Sequence, residues 1–475
     1  MELFSGFSPV SFRGVNAALP PGWVQEEGPD DTWVLAHPPV PEGHFRPNLV
    51  IRIGRNDGHP LEWVATTGLA ATMAQFAALH VLSVDEWPKV FDPSLGRAVP
   101  GRRQRFVYQG EGQTVCVDRW IWVLGAGLVE ATGSYALEDH TGQKTLIEYL
   151  VDQLTITGHG SNRIPDWAEL DRAELDRDRD PRPDVFASQQ RETYLEDLSR
   201  VAAEQPYRPE GRLLTEAAAD LLLSLCGRKK LGRFDLAGNR SAAAELVEAG
   251  LLTAEGHVTE KGAACLYPLT DPVARLSLTA RRGNEETAAD VWIGEGLALL
   301  VAGPSFFGPS SEPAYGPGER EVRILPPALL PLVLASWAGV APAWAMRHDP
   351  LVVSEGVFHA RVASSSVPAP NAGEAEHRLW AAQWTSWDIT HIEANAGFRW
   401  LHAGEAGHYS VIPADGGIRL DAQPSSLVWD AIARTVHTAA TGAPLDLGAD
   451  VPSAWLHARS HEDIVHRPGN GAPTR

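Results

Sequence analysis

Two apolar runs of equal length, each closed at both ends by glycine, recur in the C-terminal half of the chain. They are Gly296-Leu-Ala-Leu-Leu-Val-Ala-Gly303 and Gly397-Phe-Arg-Trp-Leu-His-Ala-Gly404. Each is followed by a turn-rich gap and a second short run, Val322–Leu325 in one case and Ile418–Asp421 in the other. A proline-started stretch with apolar positions at helical spacing then closes each unit, Pro326–Trp337 and Pro424–Val436. Strand, loop, strand and closing helix used twice predicts a duplicated α+β region with two related sheets, copied over residues 289–337 and 390–436.

The N-terminal third carries a different pattern. Thr32–Ala36 and Leu49–Ile53 are β-type runs, and Leu69–Leu79 has apolar residues at helical spacing. Arg105–Tyr108, Thr114–Val123 and Gly127–Tyr135 read as further strands, with an amphipathic helix from Gln143 to Leu154. Residues 1–157 therefore read as an antiparallel sheet with helices against it. Residues 158–209 form a linker dense in Asp, Glu and Arg, too poor in apolar residues to hold a core, ending in a helix over Gln189–Ala203. Over 210–272 the expectation is helix (Leu214–Cys226, capped by Thr215), helix (Ser241–Leu252), a tight hairpin (Gly250–Thr259) and a third helix from Glu260, the succession of a winged helix. The duplicated region fills 273–458, with a bridging section at Ala341–Asn371, and 459–475 reads as a disordered tail. The fold class is α+β throughout.

Composition narrows the function. The 475 residues carry a net charge of −20 and 44% hydrophobic residues, which fits several globular domains and disfavours a nonspecific partnership with nucleic acid or anionic membrane. No window is apolar for long enough to cross a bilayer, and Met1-Glu-Leu-Phe-Ser-Gly-Phe lacks the basic start of a signal peptide. A cytoplasmic location follows as the expectation. Cys116, Cys226 and Cys265 are far apart in apolar surroundings and read as reduced core residues.

Two resemblances add to this reading. The order Pro21-Gly22-Trp23, a Trp-bearing strand, then Phe45, Pro47-Asn48-Leu49-Val50, a helix and the meander from Tyr108 to Tyr135 resembles the PsbP-like fold of LpqN-type proteins. That resemblance implies a non-enzymatic binding module. It does not imply surface anchoring, because no lipid-acceptor cysteine stands near the N-terminus. The C-terminal half resembles the EspG-type chaperones of type VII (ESX) secretion through Glu248-Ala-Gly-Leu-Leu252, Thr259, Pro268, Pro272, the Gly296–Gly303 strand and Arg323, with Gly397, Trp400 and Arg419 in the second copy. It implies a pseudo-twofold α/β architecture that keeps a secretion substrate soluble. The implied partner is a secreted helical protein or a secretion-apparatus component. The long bridging section and the fused N-terminal third depart from that family.

Catalytic signatures are missing from the sequence: no nucleophile elbow, Walker loop, dinucleotide fingerprint or zincin helix. No cofactor and no enzymatic activity are expected. His391, Glu393, His402 and His408 match no familiar metal spacing and read as polar positions on the exposed face of a half-buried strand. Arg228-Lys-Lys-Leu-Gly-Arg233 suits phosphate contact in a DNA-binding regulator, the alternative function, but the glutamates around it (Glu245, Glu248, Glu255, Glu260) favour a solvated loop. Tryptophan is the informative excess, with sixteen present. Trp380, Trp384 and Trp387 stand at helix-compatible spacing and, with Phe398 and Trp400, are the candidate partner-binding residues, each equally readable as core. Trp63, Phe76 and Trp87 admit the same two readings.

Overall fold

In the computed structural model, the described residues are 6–28, 32–76, 79–91, 98–110, 113–156, 195–309, 315–316, 318–346, 349–370 and 374–442. The expected linker core and the expected C-terminal tail lie outside them. Two large antiparallel sheets and a small one organise the described residues.

A three-stranded sheet joins β1 (Ser8–Phe12), β2 (Val15–Leu19) and β10 (Thr155–Ile156). The seven-stranded sheet comprises β3 (Val24–Glu27), β4 (Thr32–Ala36), β5 (Asn48–Arg55), β6 (His80–Glu86), β7 (Gly101–Gly110), β8 (Gln113–Leu124) and β9 (Gly127–Ala136). Its order is β3-β4-β5-β9-β8-β7-β6. The anticipated strands β4, β5, β7, β8 and β9 form, and β6, which the sequence pattern does not anticipate, follows directly on the residues expected to be helical over Leu69–Leu79. That helix, α1 (Leu61–Gln75), starts eight residues before the expected Leu69. α1 packs on one face of the sheet, and α2 (His140–Asp152) on the other.

Beyond α3 (Ser199–Ala203), the chain builds a single ten-stranded sheet rather than the two expected. An edge strand β11 (Arg212–Thr215) precedes four helices: α4 (Glu216–Leu223), α5 (Arg233–Gly238), α6 (Arg240–Glu248) and α7 (Glu260–Thr270). A four-strand meander follows, β12 (Ala274–Arg282), β13 (Glu285–Ile293), β14 (Ala298–Ala302) and β15 (Glu319–Leu325), closed by α8 (Leu330–Trp337). The same succession then recurs. β16 (Leu351–Val353) leads to helices α9 (Glu355–Ala363) and α10 (Glu374–Ala381), then to β17 (Thr385–His391), β18 (Ala396–His402), β19 (His408–Ala414) and β20 (Gly417–Gln423), closed by α11 (Ser425–Thr441). The strand order β11-β15-β14-β13-β12-β17-β18-β19-β20-β16 reads alike from either edge. At its centre β12 and β17 pair antiparallel, Leu278 opposite Ile389. The glycine-bounded runs are out of step by one strand: Gly296–Gly303 frames β14, the third of its meander, whereas Gly397–Gly404 frames β18, the second.

Local chemistry accounts for these elements. Thr215 caps α4 by accepting from the Ala218 N–H, and Thr259 caps α7 through the Gly262 N–H. Asn239, not the expected Ser241, precedes α6. Pro424 opens α11 and Gly442, at φ +69°, ends it, its N–H returning to the Thr438 carbonyl. Along β12, buried Ala274, Leu276, Leu278 and Ala280 alternate with polar Arg275, Ser277, Thr279 and Arg281, the signature of a strand with one covered face. Every residue of β14 is buried, because helices cover both of its faces.

Helices α8 and α11 sit between the two large sheets, and one apolar cluster runs from Trp33, Trp120 and Tyr135 through Trp337, Val428, Trp429 and Ile432 to Leu278, Val291 and Trp387. Charge crosses the same layer. Arg105 Nε meets Asp118 Oδ1 at 2.8 Å, with its Nη1 3.6 Å from Asp430 Oδ1 on α11. His140 Nε2 and Lys144 Nζ from α2 reach the same carboxylate at 3.0 and 2.9 Å. Arg103 spans Asp85 and Glu148 at 2.9 Å each, and Tyr135 donates to Asp118 at 2.8 Å. Lys144 and the buried cations hold the Asp430 carboxyl well below its ordinary range. A second tie is apolar-walled: His80 Nε2 donates to the Val340 carbonyl at 2.7 Å, and burial pushes the ring's pKa down to about 4.

Two outcomes follow. Asp430→Ala removes the carboxylate shared by Lys144 and His140 and one of those around buried Arg105, and should cost about 3–5 kcal/mol in urea unfolding, whereas Glu286→Ala in the exposed Arg281–Glu286 pair should cost under about 1 kcal/mol. His80 makes stability pH-dependent. The folded chain keeps it neutral while the unfolded chain protonates at the ordinary 6.5, so its contribution is whole above that pH and is lost as pH falls toward 4. His80→Gln should flatten unfolding free energy against pH in that window.

Candidate functional site

The two faces of the ten-stranded sheet differ. The inner face is sealed by α8 and α11. On the outer face, α4–α7 cover one flank, over Leu299, Val301 and Val322, and α9–α10 cover the other, over Leu401, Tyr409 and Leu420. Between these walls the central strands show a polar floor. Ser277 donates to Asp290 at 2.8 Å and Thr279 to Asp388 at 2.8 Å, while Arg275 reaches Glu393 and Arg281 reaches Glu286. Arg399 approaches Asp388 at 3.9 Å. The side chains of Arg275, Arg281 and Arg399 keep 47%, 60% and 45% of their exposure, so these rungs face solvent. Ala288, opposite Thr279, leaves the middle of the floor open. Gly397 brings β18 against β17 so closely that a Cβ would lie 2.2 Å from the Ile389 carbonyl oxygen. The result is a trough with a hydrogen-bonding sheet floor, charge-balanced along its length, between two helical walls.

Of the five aromatic residues expected at a partner surface, Trp380, Trp384, Trp387 and Trp400 are buried and Phe398 is half-buried, and they lie on opposite sides of the sheet. α10 ends at Ala381, so the helical spacing stops before Trp384, and Trp387 already alternates on β17. Trp380 and Trp384 pack edge to face at 5.0 Å beneath the outer wall, their indoles donating to Val367 and Leu379 carbonyls. Arg361 lies over Trp384 at 5.0 Å. Trp387 and Trp400 are cross-strand partners on the inner face, with Phe398 beside them against the α11 side. Trp87 is likewise buried, Phe76 half-buried against Tyr108, and Trp63 is exposed and stacked on His59 at 3.7 Å.

Other expectations shift too. His402 and His408 do not line an exposed strand face. They meet at 4.9 Å on the inner side near Phe307 and Arg282, and burial lowers both, His408 to about 4. His391 lies 3.7 Å from Glu393, whose carboxylate is engaged by Arg275. No group of three or more potential metal ligands occurs among the described residues. Cys116 and Cys265 are buried with thiols pushed upward, Cys265 to about 11, but Cys226 is exposed. A cavity of about 610 Å³ opens between β11, β15 and α7, with Leu251, Cys265 and Ile324 lining it and Arg212 and Lys261 among its charged residues. The trough itself was legible only as alternation: Arg275, Ser277, Thr279 and Arg281 stand at period two between apolar residues.

No family model and no curated protein matches the chain. Among solved structures, it is similar to a protein of unknown function from Pseudomonas aeruginosa described as a putative regulator, at 10% identity over 34% of this chain and 97% of that one, TM-score 0.23. A second is LpqN of Mycobacterium tuberculosis, involved in cell envelope biogenesis, at 12% identity over 32% and 90%, TM-score 0.25. The third is the cyanobacterial PsbP of Synechocystis sp. PCC 6803, at 10% identity over 32% and 92%, TM-score 0.24. No EspG-type chaperone is among these three.

Truncating the aromatic core distinguishes packing from contact. Trp384→Ala and Trp400→Ala should each lower unfolding free energy by about 3–5 kcal/mol, read from the shift of the urea midpoint.

Proposed function

We propose that this chain is a non-enzymatic protein-binding chaperone or adaptor that holds its partner in the trough on the outer face of the ten-stranded sheet. The observation that carries the reading is the asymmetry of that sheet. One face is buried against a second domain, while the centre of the other is left as an open, polar, charge-balanced floor between helical walls. Such a surface recognises a folded or helical segment by hydrogen bonds and shape, and its balanced charge discourages wrong partners. The repeated order of strand, helices, four strands and helix, which runs from β11 to α11, supports extending the duplication expected over 273–458 back to take in β11 and α4–α7, about the β12–β17 pairing, on the pseudo-twofold plan of EspG-type chaperones. On this reading the client is a secreted helical protein or a component of a type VII-like secretion apparatus, kept soluble in the cytoplasm before export. The N-terminal sheet over 1–157 acts as a PsbP-like binding module fused to it, with 158–209 as linker and 210–272 as a winged-helix-like unit. No described helix is long and apolar enough to cross a membrane.

A second reading, a DNA-binding regulator, draws on the bridges Lys230–His257 and Leu252–Val258, which give 230–258 a winged-helix layout. The exposed side of α6, however, offers Ser241, Ala244, Val247 and Glu248, with Arg240 as its cation. That composition suits protein contact better than phosphate.

Affinity capture of the tagged full chain from its native cells, with mass spectrometry and a matched variant, decides between them. The Thr279→Arg/Ala288→Arg pair sits on the trough floor and should leave the melting temperature within a few degrees. Wild type should recover a small helical protein in stoichiometric amount, and the double variant should lose it. Equal recovery by both, or recovery of the chain alone from cells shown to express such proteins, would overturn the proposal. Sequence-specific retention of duplex DNA would favour the regulator.

A further inference from the structure

Phe234, the second residue of α5, is 93% exposed, far beyond any other large apolar side chain in the described chain. Burying a phenylalanine ring is worth about 1.5–3 kcal/mol, and its neighbours obey that drive: Leu231 is buried at 2% and Leu236 packs in the same core. The backbone around the ring is not loose. The Leu231 N–H donates to the Gly256 carbonyl at 2.9 Å and the Val258 N–H to the Lys229 carbonyl at 2.9 Å, so the loop before α5 is stitched to the hairpin after α6. Phe234 is therefore presented by a fixed frame.

The charge around it runs against the whole chain. Net charge overall is −20, yet residues 228–240 carry five cations (Arg228, Lys229, Lys230, Arg233 and Arg240) and one acid, Asp235. All five cations are exposed. Asp235 is committed, accepting from the Gly232 N–H at 3.3 Å and standing 3.5 Å from Arg228. A protruding aromatic ring in a cationic collar is complementary to an acidic surface with an apolar notch. Duplex DNA supplies the negative charge but seats an apolar ring only by unstacking a base step.

We propose that this face of the winged-helix-like unit, on one of the helical walls and distinct from the polar floor strands, is a second docking surface for an acidic protein segment that buries Phe234 against its own apolar side chains. The cations steer the encounter and set its salt dependence, while the ring supplies the anchor. Because Phe234 and the five cations are exposed, their variants should leave folding intact.

The test uses the full chain and fluorescence anisotropy with three labelled probes at low salt. They are an acidic amphipathic peptide (Glu/Asp on one helical face, Leu/Phe on the other), a poly-glutamate peptide of equal charge, and a duplex DNA of about two helical turns. The amphipathic peptide should bind best, with Phe234→Ala weakening it about tenfold and Lys229→Glu/Lys230→Glu weakening it more and flattening its salt dependence. Poly-glutamate should bind more weakly and ignore Phe234→Ala. Melting temperatures of the variants should match wild type. The proposal is overturned if the amphipathic peptide fails to bind at 0.1 mM-scale concentrations (roughly the weak limit of such contacts), if Phe234→Ala leaves it unchanged, or if DNA is the preferred ligand.

Discussion

A carboxylate on α11 decides how the two large sheets meet. Asp430 lies in the layer between them and is reached from the N-terminal sheet by Arg105 and from α2 by His140 and Lys144. Removing these charges from water is costly, so the arrangement holds only where each finds its counter-charge. That requirement fixes register as well as energy. Arg105 must leave β7 on the face that carries Asp118 and Tyr135, and α11 must cross the sheet at the turn that carries Asp430. Apolar packing of Trp33, Trp120, Trp337 and Trp429 supplies the bulk of the drive, but it tolerates sliding. The ion network does not.

With that layer sealed, the ten-stranded sheet is left with one face to offer. The antiparallel pairing of β12 with β17 joins two successions of strand, helices, four strands and helix across a common centre. Both closing helices fall on the inner side and both helical groups on the outer flanks. The central rungs then remain uncovered outside, and their residues are those a solvated sheet face demands: Ser277 with Asp290, Thr279 with Asp388, Arg281 with Glu286. Architecture and surface chemistry agree there.

The strands at Thr32–Ala36 and Leu49–Ile53, the cap at Thr215, the hairpin at 250–259 and the proline-opened helix at Pro424 were each legible, because every one is a local signal that its own residues satisfy. The alignment of the two glycine-bounded runs failed for a physical reason. Glycines bound a run wherever a turn or a close approach needs them, and Gly397 answers to the Ile389 carbonyl, not to a position in a repeat. The tryptophans stayed ambiguous between core and surface for a related reason. Trp380, Trp384 and Trp387 share a helical spacing that the chain abandons at Ala381, and period alone could not reveal where helix gives way to strand.

By itself, the sequence determined the α+β class, the strands β4, β5, β7, β8, β9, β14, β15, β18 and β20, most of the helices, and the acidic, globular character of the chain, since these depend on residue periodicity, capping and composition. Only the tertiary structure decided that the C-terminal strands form one sheet, that its aromatics are core, that the inner face is buried by an ion-paired interface, and that Phe234 is not buried at all. Those outcomes depend on which distant surfaces meet. A side chain's type states what burial would be worth, but not whether another surface arrives to cover it.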